Sequence, residues 1–203
     1  MAKPIFFFFL LGLLAASKGI AQDTNTPEYR NFPVTLTLQF QSFSLPFKNL
    51  GTNFKNMGIG IGTEVSHNGA HDWVQEFSLF WIRNKAMGNG LYLLTQTAWR
   101  PYVGNPVFGE LKAGIGYKLA FRPSESFIQK DGEWISVGKK GKGMLAIPIG
   151  IGLGVHNYSE SVYASPFVTY QAVFLKGYNK DIPLVPETIF QFGTRTHFNE
   201  LVK

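Results

Sequence analysis

The segment Val107 to Phe121, VFGELKAGIGYKLAF, limits what this chain can become more than any other stretch. Val107, Gly109, Leu111, Ala113, Ile115, Tyr117, Leu119 and Phe121 alternate with a second row that includes Glu110, Lys112, Gly114, Gly116 and Lys118. A period of two marks a strand whose faces meet different surroundings, and this one runs far past the roughly five or six residues of an average soluble strand. One face is almost wholly apolar, while the other mixes charges of both signs with glycine. That contrast predicts lipid against the first face and a narrow polar interior against the second.

Seven further segments carry the same pattern to different degrees. Val34 to Leu45 sets Val34, Leu36, Leu38 and Phe40 against Thr35, Thr37, Gln39 and Gln41, and Met57 to Val65 sets Met57, Ile59, Ile61 and Val65 against glycines and Glu64. Asp72 to Arg83 places Trp73, Phe77, Leu79 and Trp81 opposite Glu76 and Ser78, whereas Gly90 to Arg100 alternates less cleanly. Met144 to His156, Ser161 to Leu175 and Thr188 to Phe198 bring the expected strands to eight. Trp73 and Trp81 share a face eight residues apart. At about 3.3 Å per residue and a tilt near 40° their separation is a rise of roughly 20 Å, which suits the two lipid interfaces.

The connections fall into two sets. Ser66 to His71, which contains the hairpin-favouring pair Asn68-Gly69, Pro101 to Pro106 and Asn157 to Glu160 are short and share one side. Pro46 to Asn56, Lys85 to Asn89, Arg122 to Gly143 and Lys176 to Pro186 lie on the other, and three of these four exceed every turn of the first set. Short inner turns and long outer loops are the asymmetry of an outer-membrane barrel. Inside the longest loop, Phe127-Ile128, Asp131-Gly132 and Trp134-Ile135 predict a small hairpin projecting beyond the barrel.

Residues 1–21 read as a secretory signal peptide: Lys3 precedes the apolar run Ile5 to Ala16, and Gly19-Ile20-Ala21 supplies small residues for cleavage after Ala21. The run is too short for a membrane-spanning helix. Residues 22–32 form a periplasmic leader, 33–198 the barrel and 199–203 a C-terminal tail. The absence of Cys excludes a disulfide framework and a lipid-attachment cysteine after the signal. The formal charge of +6 loses Lys3 and Lys18 with the signal, leaving +4, a balance that gives no reason to expect nucleic acid.

In hydrocarbon every backbone polar group must pair internally, so a spanning sheet has to close on itself, and closure at eight strands leaves an interior filled by side chains. The expected interior residues are Gln39, Gln41, Glu64, Glu76, Gln96, Arg100, Glu110, Lys112, Lys118, Gln171, Gln191 and Arg195. Among them Glu64, Glu76, Arg100, Glu110, Lys112, Lys118 and Arg195 are expected to form a lumen charge network that plugs the barrel. A narrow ion conduit is the alternative use of the same residues. The glycines of segments 58–62, 113–116 and 149–154 are expected to leave room for long side chains from the far wall.

The signal ending Gly19-Ile20-Ala21, the alternating strands at 107–121 and 144–156, and the Phe190/Phe192 face of the last strand give the chain its resemblance to a known family. It resembles the small eight-stranded outer-membrane β-barrels of Gram-negative bacteria, the OmpA/OmpX type. That resemblance covers nearly the whole mature chain and implies an all-β, antiparallel, up-and-down transmembrane barrel in the outer membrane. A structural or surface-interaction role goes with it. Some barrels of this class modify lipid A acyl chains with a Ser, a His and an acid, which makes a lipid-modifying hydrolase the runner-up.

The chemistry on offer is thin. His156-Asn157-Tyr158-Ser159-Glu160 holds a nucleophile, a base and an acid, but at an inner turn, and five consecutive residues seldom supply a triad. His67, His71, His156 and His197 all fall at inner strand ends, with Asp72 and Glu76 near the first two, and imidazole with carboxylate suits zinc. Solvated turn residues explain these histidines better, so no catalytic residue, metal or cofactor is expected. Lys130, Trp134, Lys139, Lys140 and Lys142 in the third outer loop are the candidate contact surface. Their partners are lipopolysaccharide phosphates, other outer-membrane lipid, or an extracellular protein or surface ligand, although a solvated lysine cluster needs none. The chain is expected to be a monomer. A soluble, secreted lipocalin-like barrel is the main rival fold, because it inverts the two faces around an apolar ligand.

Overall fold

The computed structural model describes residues 32–198 except 46, 49–53, 55, 105, 140, 157–161 and 179–182. The segments expected to be signal peptide and C-terminal tail, and most of the expected leader, lie outside the described residues, as do Lys140 and the expected turn at 157–160. Eleven strands follow one another: β1 Val34–Ser42, β2 Asn56–Ser66, β3 Trp73–Ile82, β4 Asn89–Trp99, β5 Tyr102–Gly104, β6 Val107–Phe121, β7 Ser126–Lys130, β8 Glu133–Gly138, β9 Lys142–Val155, β10 Val162–Lys176 and β11 Leu184–Phe198.

Eight of these form one antiparallel meander in the order β4-β3-β2-β1-β11-β10-β9-β6. The meander closes where β4 pairs with β6, from Asn89 opposite Phe121 to Trp99 opposite Leu111. The terminal strands meet as β1 and β11, in register from Val34 opposite Thr196 to Ser42 opposite Thr188. No open edge remains on the cylinder, and every long strand has a partner on both sides, as a sheet in hydrocarbon requires. The short β5 pairs only with the start of β6.

The side-chain rows point as the alternation predicts. Ile59, Ile61, Leu93, Ile115, Ile149 and Leu153 stand exposed on the outer wall, Ile59 to 67% and Leu93 to 60%. Inside, the largest fully buried side chains are Arg100 and Arg195. This is the reverse of a lipocalin-like barrel, which would put the aliphatic rows around a cavity and the charges outside.

Three boundaries differ from the sequence reading by more than one residue. β1 stops at Ser42 rather than Leu45, β9 starts at Lys142, and β11 starts at Leu184 rather than Thr188. The last difference arises because Leu184-Val185-Pro186 lacks alternation and contains a proline that donates nothing to a ladder. It pairs with β10 nonetheless, Pro186 lying opposite Phe174.

The inner turn after β2 also differs. The turn contains the hairpin-favouring pair Asn68-Gly69, yet its residue with positive φ is His71, at 57°. Asn68 explains the change: its carbonyl accepts the His71 N–H at 3.1 Å, its side-chain oxygen accepts the Trp73 N–H at 3.3 Å, and its amide donates to Asp72. The expected outer hairpin is present as β7 and β8. Asp131 at φ 54° and Gly132 at φ 85° make its two-residue turn, the combination that matches strand twist.

Candidate functional site

The interior is layered along the barrel axis, and each layer follows from the inward row of several strands. β2 and β3 place Glu64 directly opposite Glu76, two like charges that on their own would repel. Arg100, just after β4, resolves this. Its guanidinium donates to both Glu64 oxygens at 2.8 and 2.5 Å, to Glu76 at 2.8 Å and to Glu110 on β6 at 2.8 Å. Arg195 on β11 approaches the same three carboxylates, at 2.9 Å for Glu64 and 2.7 Å for Glu76 and Glu110. Lys112 adds contacts to Glu76 at 3.1 Å and Glu110 at 3.3 Å. Three carboxylates and three cations thus share one layer, with formal charges that cancel. A buried charge needs this much pairing, since desolvation costs several kcal/mol per ion.

Lys118 does not belong to that layer. It pairs with Glu187 nearer the outer end, and the Tyr92 hydroxyl donates to the same carboxylate at 2.6 Å. Glu187 is fully buried and is missed in the sequence because it falls between the loop expected to end at Pro186 and the strand expected to begin at Thr188. The lumen therefore holds two separate ionic groups instead of one network of seven.

Between and around these groups the interior departs further from an all-polar plug. Gln96, Gln171 and Gln191 form a hydrogen-bonded row at 3.2 and 2.8 Å. Beside the Lys118–Glu187 pair the outer half holds an apolar cluster: Phe80, Ile82, Leu94, Met144, Val173, Leu175 and Ile189 are buried there, and Phe80 stacks on Tyr92 at 4.6 Å. At the inner end Phe108 is fully buried, with Arg100 5.6 Å above its ring and His156 stacked on it at 4.1 Å. Arg195 lies 3.8 Å from the Phe167 ring centre. A cavity of about 20 Å³ beside Glu76, Gln96, Lys112 and Gln191 has the size of a single water site.

The interior glycines make room for adjacent strands more than for the far wall. A Cβ on Gly60 would lie 2.5 Å from Phe80 Cβ and 2.8 Å from the Gln39 amide nitrogen, and one on Gly154 only 2.2 Å from Phe108 Cζ.

His67 is exposed in its turn, as expected, whereas His197 is 2% exposed in the lumen and the half-buried His71 meets the Ser66 hydroxyl at 2.9 Å. Burial lowers the pKa of His71, opposed by Asp72. His156, in the turn after β9, is lowered from 6.5 to about 3, first by burial and then by the positive charges of Arg100 and Arg195. Among the described residues no group of three or more His, Asp or Glu side chains is placed to hold a metal ion. Of the acyl-transfer candidates, Ser159 and Glu160 fall outside the described residues, while His156 faces the Phe108 ring.

At the outer end the sequence-derived contact residues separate. Lys130 and Trp134 sit on the β7–β8 hairpin, a two-stranded sheet of its own, and Trp134 is 69% exposed. Lys142 begins β9 and donates to the Tyr178 carbonyl at 2.6 Å, tying the third outer loop to the fourth. Lys139 instead borders a cleft of about 360 Å³ together with Arg83, Lys85 and Arg122, a grouping invisible in sequence because it joins two loops.

No protein-family model and no curated protein matches the sequence. Solved structures match it in fold. Neisserial surface protein A, NspA, aligns with 82% of this chain and 97% of its own, at a TM-score of 0.55 and 12% identity. The fold is that of a small outer-membrane β-barrel. Two further neighbours are the N-terminal β-barrel domain of Pseudomonas aeruginosa OprF and the Yersinia pestis outer membrane protein Ail. Their TM-scores are 0.41 and 0.40 and their identities 15% and 14%, over 79% and 83% of this chain and 95% and 100% of theirs.

Proposed function

We propose that this chain is a monomeric outer-membrane barrel whose duty is surface interaction, with a lumen closed by its own side chains. The observation that carries the reading is the contrast between the two ends of the molecule. The interior is spent on paired charges, glutamines and packed apolar side chains, whereas the β7–β8 hairpin holds Phe127, Ile128, Trp134 and Ile135 out in the open, each 45% exposed or more. Exposed apolar side chains on a projecting loop, flanked by Lys130 and Lys139, favour contact with a partner over simple solvation. The exposed aliphatic wall supports placement in a bilayer, and its lipid contacts are those of the outer membrane. No catalytic step is assigned to any residue.

Cell fractionation tests the location, and deletion of residues 126–138 tests the role. The deleted chain is expected to reach the outer membrane and keep the heat-dependent gel migration of a folded barrel, while binding to host-cell or matrix surfaces falls to background. Unchanged surface binding by the deleted chain refutes the hairpin as the contact. Planar-bilayer recording tests the closed lumen, since a steady ion-selective current from the pure chain refutes it.

A further inference from the structure

The register of the outer hairpin sorts its side chains onto two faces, because cross-strand partners share a side and successive residues alternate. One face carries Ile128 opposite Ile135 and Lys130 opposite Glu133. The other carries Phe127 opposite Ser136 and Gln129 opposite Trp134, so its two rings lie on one diagonal and its hydroxyl and amide on the other. The Ser136 hydroxyl donates to the Glu125 carboxylate at 3.2 Å, which brings an acid to the end of this second face. All five side chains are exposed.

The charge of the hairpin narrows what such a face can hold. Over residues 125–138 Lys130 stands against Glu125, Asp131 and Glu133, so the segment is net acidic although the loop around it is basic. An anionic polymer meets repulsion there. With the aliphatic pair confined to the reverse face, Phe127 and Trp134 stand among polar groups and not within an apolar patch.

We propose that the face formed by Phe127, Gln129, Trp134 and Ser136, with Glu125 at its end, binds an uncharged oligosaccharide on the surface of another cell. This rests on the surface-interaction reading and names its partner. A sugar ring offers an apolar side of C–H groups and a rim of hydroxyls, so its receptor must set aromatic area beside hydrogen-bonding groups. The two rings stack on the C–H sides, and the Gln129 amide donates to and accepts from the hydroxyls. The Glu125 carboxylate accepts hydroxyl protons in charge-assisted bonds and turns away sialylated or sulfated chains.

Titration calorimetry of the full mature chain in phosphatidylcholine nanodiscs, free of sugar detergents, tests this. The probes are neutral tetrasaccharides ending in galactose, glucose or N-acetylglucosamine, the sialylated counterpart of each, and heparin. At least one neutral tetrasaccharide is expected to bind, and its sialylated form at least about fivefold more weakly. Trp134→Ala should weaken binding at least about fivefold, the effect of losing one stacking partner, and Trp134→Phe should recover part of it. Glu125→Gln should narrow the preference for the neutral form, and Ile128→Ala on the reverse face should change nothing. Heat-dependent gel migration identifies the variants that remain folded. Failure of every neutral probe to bind, tighter binding of heparin or a sialylated probe, or equal losses from Ile128→Ala and Trp134→Ala overturns the proposal. A second arm separates the sugar from the hairpin: periodate oxidation of host-cell glycans is expected to abolish capture of the cells by the parent chain. Capture that survives periodate but is lost on deleting residues 126–138 overturns the sugar and leaves the hairpin as the contact. Capture unchanged by the deletion overturns both.

Discussion

Replacing Arg100 by Met should be the most damaging single change in the lumen that keeps side-chain volume roughly constant. Arg100 makes four charge-assisted hydrogen bonds to three carboxylates, all 2.8 Å or shorter, from a site 1% exposed. Opposite charges about 4 Å apart attract by about 4 kcal/mol at an effective dielectric near 20, so three such partners give a gross attraction of about 12 kcal/mol. Most of that is offset by desolvation of the guanidinium. The measured loss on breaking a buried pair is about 3–5 kcal/mol, because the orphaned charges stay buried. In this barrel Glu64 and Glu76, which face each other across β2 and β3, would be left with Glu110 to share only Arg195 and Lys112, one positive charge too few. Guanidinium titration of the chain folded into phosphatidylcholine vesicles, followed by Trp fluorescence, is expected to show that loss. Adding Glu64→Gln restores charge balance and should recover at least about 1 kcal/mol of it, the kind of coupling expected of residues in one network. A single variant within about 1 kcal/mol of the parent, or a double variant no more stable than the single, would refute the account of Arg100 as the group that holds the opposed carboxylates together.

Tyr92→Phe removes only the hydroxyl that donates to Glu187, and urea or guanidinium titration should show a loss of about 1.5–3 kcal/mol, the range for a hydrogen bond to a charged group. Gly154→Val should cost about 1–3 kcal/mol by overpacking against Phe108, whereas Gly109→Val, whose new Cβ would have 3.5 Å to its nearest neighbour, should fold like the parent. For His156 the folded pKa of about 3 lies below the ordinary 6.5, so the unfolded chain takes up the proton first. Its contribution to stability is complete above pH 6.5 and is lost as pH falls from 6.5 towards 3; a His156→Gln variant should flatten that part of the profile, and an unchanged slope would contradict the burial of a neutral imidazole.

How far the sequence could be read depended on whether the two faces of a strand differ. In β6 they differ along the whole length, and Glu110, Lys112 and Lys118 all proved to point inward. In the outer halves of β3, β4 and β10 both faces are apolar: Phe80 and Ile82 turn inward while Leu79 and Trp81 turn outward. Period-two reasoning assigns no side to such residues, which is why the apolar cluster in the outer half of the lumen is not legible in the sequence. Charge pairing was legible only as inventory. Seven charged residues were expected to share one network, but which carboxylate meets which cation depends on strand register around the closed cylinder, and Lys118 and Glu187 are brought together from β6 and β11, two strands that are not neighbours. The rim cleft was hidden for the same reason, since Arg83 and Lys139 come from different loops.

The aromatic side chains on the outside bear on which face meets lipid. Trp73 stacks with Trp99 at 6.3 Å near the inner end, and Trp81 meets Phe121 at 5.2 Å near the outer end. The two pairs bracket a band roughly 20 Å tall, close to the apolar height of about 25 Å in membrane barrels. Within the band the wall carries Thr63 beside Phe77 and Thr194 beside Leu36, whose hydroxyls make no hydrogen bond, and a polar group of Gln75 with Thr95 and Thr97 whose members satisfy one another at 2.6 and 2.8 Å. In water such side chains need no partners. In hydrocarbon an unpaired amide costs several kcal/mol, so mutual pairing on an outward face is what lipid contact demands. The paired amide of Gln75 on the wall therefore argues in the same direction as the aliphatic rows around it.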